Sequence, residues 1–107
     1  MFKSFIDEYN VILDLRFADV IYDGINKPKA AYLKFVDDTG VEISYKNLTA
    51  MEADFLVADF LQFIQHKMRF KNLLLNVDKT EIVTNDIRIR EIRIGNQTLI
   101  CKNMFRL

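Results

Sequence analysis

The sequence predicts an α+β fold. One long central helix, over about residues 50–69, is expected to pack on a curved sheet, with antiparallel β-hairpins before and after it and a short N-terminal helix. Three observations carry this. A capping box at Thr49 opens a stretch with a wide apolar arc, runs of alternating apolar residues flank it on both sides, and the apolar period changes near residue 10. A length of 107 residues suits a single domain, 1–107, and a half-hydrophobic composition suits a packed core.

At the N-terminus, Phe2, Phe5, Ile6 and Tyr9 fall at helical spacing. From Val11 the pattern alternates through Leu13, Leu15 and Phe17, which predicts a strand running into a turn at Asp23-Gly24. Beyond Pro28, Ala31, Leu33 and Phe35 alternate, as do Val41, Ile43 and Tyr45. Between the two runs Asp37-Asp38-Thr39-Gly40 is expected to form a four-residue hairpin loop.

The central helix starts at a Thr49 N-cap with Glu52 at the third helical position, and Leu48 stands where a hydrophobic staple belongs. Ala53, Leu56, Val57, Phe60, Leu61, Phe63, Ile64 and Met68 then cover an arc of roughly 160°. Met51 and Phe55 fall outside that arc, among polar residues that include Asp59. After residue 70, "NLLLNV", "TEIV" and "DIRIREIRIGNQTLICKNMF" read as strands, with a turn near Asp78-Lys79. The slip from Ile87/Ile89 to Ile92/Ile94 predicts a β-bulge at Arg90-Glu91, and Gly95-Asn96 predicts a two-residue turn that sets Ile92 opposite Leu99.

Formal net charge is zero, yet residues 1–66 carry 6 basic against 11 acidic side chains and residues 67–107 carry 9 against 4. Two electrostatic faces are one consequence, and cancellation within the fold is the other. Acidic residues interrupt the apolar N-terminus before a signal-peptide core or membrane span forms, so the chain reads as cytoplasmic, with no membrane partner. Scarce glycine and proline beside abundant Ile, Asn, Lys and Phe suit an AT-rich bacterial or phage genome.

Asp38-Thr39-Gly40 resembles the catalytic loop of retroviral-type aspartic proteases, and "RIGNQTLI" is similar to their glycine-containing motif near the C-terminus. The resemblance implies a homodimer in which two Asp38 carboxylates share a proton. Three features oppose it. Asp37 replaces the hydrophobic residue expected before the catalytic aspartate, no glycine between Gly40 and Gly95 supplies a flap, and a capping-box helix stands where that family has strands.

Other chemistry lacks its parts. The serines are Ser4 and Ser44, the histidine is His66 and the cysteine is Cys101, which is too few for a triad or for a zinc site within one chain. Gly24, Gly40 and Gly95 all have turn roles, leaving none for a phosphate loop. The expectation is therefore a non-enzymatic protein with no cofactor and no metal.

Two surfaces remain. Met51, Phe55 and Asp59 on the polar side of the helix suggest a protein-binding module, such as an inhibitor, an accessory subunit or a phage-encoded modulator. The alternative is nucleic-acid binding through an arginine-bearing C-terminal hairpin of Arg88, Arg90, Arg93, Lys102 and Arg106. An uncovered edge strand would also permit a homodimer.

Overall fold

Thr49 sits in extended backbone (φ −67°, ψ 162°) and caps the 21-residue helix α2, Ala50–Phe70. Its hydroxyl accepts from the Glu52 N–H at 3.1 Å, and the Glu52 carboxylate accepts from the Thr49 N–H at 3.0 Å. Two amides that the first helical turn leaves without partners are thereby satisfied. The same two bonds hold the Glu52 carboxyl below its ordinary range. A depressed folded value means that the contribution is present above the unfolded pKa and is lost as pH falls through the folded one. Acid titration is therefore expected to destabilise the wild type more than Glu52→Gln, as read by thermal melting across the carboxylate range. Equal losses would contradict the cap.

The structure is a computed structural model and describes residues 2–18, 27–35 and 38–104. These fall into two compact units, 1–48 and 49–107. The first carries 6 basic and 8 acidic residues and the second 9 and 7, a difference of two in each. The partition thus largely removes the imbalance of five that a division at residue 66 gives.

In the first unit, helix α1 spans Phe2–Arg16. This corrects the strand expected from Val11. Phe5, Ile6, Tyr9 and Leu13 are buried at helical spacing, whereas Val11 and Leu15, which produced the alternation, are 58% and 75% exposed. Phe17 follows in a turn, its N–H bonded to the Leu13 carbonyl at 3.0 Å. The Asp23-Gly24 turn lies outside the described residues.

Strands β1 (Lys29–Phe35) and β2 (Asp38–Ser44) form an antiparallel hairpin, with Phe35 opposite Asp38 and Lys29 opposite Ser44. That register corrects the four-residue loop. Asp38, Thr39 and Gly40 belong to β2, and only residues 36–37, which are not described, connect the strands. Helix α1 packs on β1, where Phe2 meets Tyr32 with ring centroids 6.0 Å apart.

One side chain completes the edge of β1. The Asn10 carboxamide donates to the Ala30 carbonyl and accepts from the Ala30 N–H, both at 2.8 Å. It occupies the place of a neighbouring strand, satisfying both main-chain groups of a residue that is 2% exposed.

In the second unit α2 buries Ala53, Leu56, Phe60, Leu61 and Ile64 and packs against β4 (Glu91–Ile94). Asn72 ends the helix in the left-handed region (φ 59°). The Leu73 N–H bonds to the Met68 carbonyl at 2.8 Å and the Asn72 N–H to the Arg69 carbonyl at 3.0 Å, the two bonds of a Schellman motif. This corrects the strand expected at "NLLLNV": the chain leaves α2 as an irregular segment, with a 3₁₀ turn at Val77–Lys79.

Strand β3 (Ile82–Thr84) and strand β5 (Gln97–Asn103) complete a three-stranded sheet in the order β3-β5-β4. Gly95 adopts φ 59° in the two-residue turn, and Ile92 pairs with Leu99 as expected. Strand β3 joins β5 in parallel, an arrangement that the hairpin reading did not contain. The predicted bulge is also corrected. Residues 86–89 form a turn closed by the Ile89 N–H on the Asp86 carbonyl at 3.1 Å, so Ile87 is 70% exposed while Ile89, Ile92 and Ile94 are buried. The phase slip marks a turn entering a strand. Among the described residues no helix is long and apolar enough to cross a membrane.

Candidate functional site

Position on α2 decides what each side chain of the candidate stripe does. Residues 51, 55 and 59 are spaced by four, so they stack along one line of the helix surface. Ala53, Leu56 and Phe60 take the buried side, and that line is thereby turned toward solvent at its N-terminal end. Met51 is 82% exposed and Phe55 60%, whereas Asp59 is half-buried. Two large apolar side chains therefore stand one turn apart beside the exposed carboxylates Glu52 and Asp54.

Among the described residues, the basic side chains do not form one ladder. Arg88 lies in the 86–89 turn and makes a forked pair with Asp86, Nε to Oδ1 at 2.9 Å and Nη2 to Oδ2 at 2.8 Å. Lys102 on β5 donates to the Glu81 carboxylate at 2.6 Å, which holds the Glu81 carboxyl below its ordinary range. Arg106 lies outside the described residues. Arg90 precedes β4, and Arg93 projects from its outer face, both exposed. Sequence reasoning missed that Asp86 and Glu81 would neutralise two of the cations. Spacing hinted at the first pair, since Asp86 and Arg88 are two apart, but nothing local indicated the second.

Thr98, Ile100 and Lys102 share the outer sheet face with Glu91 and Arg93, and Val83 lies beside Lys102. Ile100 is 71% exposed and Val83 46%. Glu91 and Arg93 were legible as outer positions because they alternate with Ile92 and Ile94, and Ile100 follows from the hairpin register, whereas Val83 arrives through the parallel pairing of β3 with β5 that no local signal announced.

Cys101 points the other way. Burial pushes its thiol above the ordinary cysteine range, and the carboxylates of Asp54 and Glu91 add to the shift by disfavouring a thiolate. Iodoacetamide is expected to label Cys101 more slowly at neutral pH than a free cysteine, with the rate still climbing in alkali. Labelling as fast as a free cysteine would contradict that environment.

A shallow depression lined by Asp78, Thr80, Gln97, Thr98, Leu99 and Ile100 brings together one carboxylate and two threonine hydroxyls, without a base positioned beside a nucleophile. Among the described residues no group of three or more His, Cys, Asp or Glu side chains is placed to hold a metal ion. No protein-family model matches the chain, and comparison with curated proteins and with solved structures finds no match.

Proposed function

We propose that this protein is a small, non-enzymatic protein-binding module, acting in the cytoplasm, that docks a partner protein on the outward stripe of α2. Met51 and Phe55 are the apolar anchors and Asp59 flanks them. The observation that carries the reading is the exposure of Met51 and Phe55, one turn apart on a helix whose opposite side is packed. Aromatic side chains supply much of the binding energy at protein interfaces, and methionine adapts its shape to a partner. Inhibitor, accessory subunit and phage-encoded modulator are the roles such a module fills.

The test uses tagged wild type and Phe55→Ser as baits in host lysate, with and without nuclease, read by mass spectrometry. The expected result is a discrete partner that survives nuclease with the wild type and is lost with Phe55→Ser. Equal recovery by both baits would refute the Phe55 anchor.

The nucleic-acid alternative retains Arg90 and Arg93 as exposed cations. It predicts recovery that disappears with nuclease and binding that weakens steeply with salt.

A further inference from the structure

We propose that β4 is a self-complementary edge through which two copies of this chain pair as an antiparallel, twofold-symmetric dimer.

Strand β4 is an outer strand of the β3-β5-β4 sheet, and among the described residues no strand pairs with its far side. Which main-chain groups face that side follows from the ladder. The Gly95-Asn96 turn makes Ile94 and Gln97 the closing hydrogen-bonded pair, and antiparallel pairs alternate, so Ile92–Leu99 is hydrogen-bonded as well. The alternation continues past the strand end, where the Cys101 N–H bonds to the Arg90 carbonyl at 2.9 Å. Glu91 and Arg93 occupy the intervening positions. Their N–H and C=O groups consequently point away from β5, and both residues are exposed.

A second antiparallel strand can bond only edge-facing groups to edge-facing groups. Within β4 this leaves three symmetric registers. One sets Glu91 against the partner subunit's Glu91, another sets Arg93 against the partner subunit's Arg93, and both bring like charges together on an outer face. The third places the twofold axis at Ile92. There Glu91 faces the partner subunit's Arg93 and Arg93 faces the partner subunit's Glu91, which makes four main-chain hydrogen bonds and two opposite-charge pairs. Charge alone selects this register. It is isologous, so association closes at two copies and yields a continuous six-stranded sheet.

The contact is short, so association is expected to be weak and concentration-dependent. Sedimentation equilibrium of the full chain from about 10 μM to about 1 mM covers the relevant range. The expected result is reversible dimerisation, together with slowed hydrogen exchange at the Glu91 and Arg93 amides at the high end of the series only. Arg93→Pro removes an edge-facing N–H that no intramolecular ladder bond uses, and proline is tolerated at such edge positions. It is expected to weaken dimerisation about tenfold or more. Glu91→Arg and Arg93→Glu are each expected to weaken it, and the double variant to restore it. A monomer throughout the series overturns the proposal, as does a dimer indifferent to Arg93→Pro or to the charge exchange.

Discussion

Replacing Asn10 by alanine is expected to destabilise the first unit by about 2–4 kcal/mol, although the residue is a single amide on a helix surface. Truncation strands two main-chain groups at once, the N–H and the C=O of Ala30, in a residue that is 2% exposed. Each buried group left without a partner costs about 1–3 kcal/mol, whereas the bond it loses contributes less. Asn10→Asp separates the two halves of the contact. The carboxylate still accepts from the Ala30 N–H but turns a second negative oxygen on the Ala30 carbonyl, so it is expected to restore little of the loss. Urea unfolding followed by circular dichroism reads the stability, and hydrogen exchange at the Ala30 amide locates it. A change under about 0.5 kcal/mol for Asn10→Ala would show that the carboxamide does not complete the β1 edge.

Leu56→Ala is expected to cost about 3 kcal/mol, the usual scale for emptying a closed core position. Leu56 is 1% exposed on the side of α2 that also buries Ala53 and Phe60. Its neighbour Phe55 is larger, yet Phe55→Ser is expected to cost no more than about 1 kcal/mol, because a 60% exposed ring has less than half of its burial to lose. The two substitutions differ by one position along the same helix. Their contrast therefore measures mainly which way the helix faces, since the propensity changes amount to only a few tenths of a kcal/mol, and urea midpoints of the two variants give it directly.

What the sequence made legible was local. The Thr49–Glu52 box and the Gly95-Asn96 turn depend on residues within four positions of one another, and both occur as expected with their registers. Phe55 among polar positions was equally readable, since helical geometry alone sets its side. Non-local features were not. The Asn10–Ala30 contact joins residues twenty apart through one asparagine with no periodic signature, and the parallel pairing of β3 with β5 bypasses the intervening strand. Apolar residues left in solvent misled the rest. Val11 and Leu15 imitate a strand within α1, and Leu73 and Leu74 imitate one after Asn72, although a left-handed asparagine and two backbone bonds had already fixed that segment as a helix end. Arg88 and Lys102 looked like available cations because Asp86 and Glu81 become their partners only through turn geometry and strand pairing.

Melting temperature and partner retention of Phe55→Ser, measured on the same preparation, separate a side chain that serves a partner from one that serves the fold. The expected result is melting close to that of the wild type with the partner lost. Wild-type melting with the partner retained would contradict it, and so would a melting temperature lowered as far as that of Leu56→Ala.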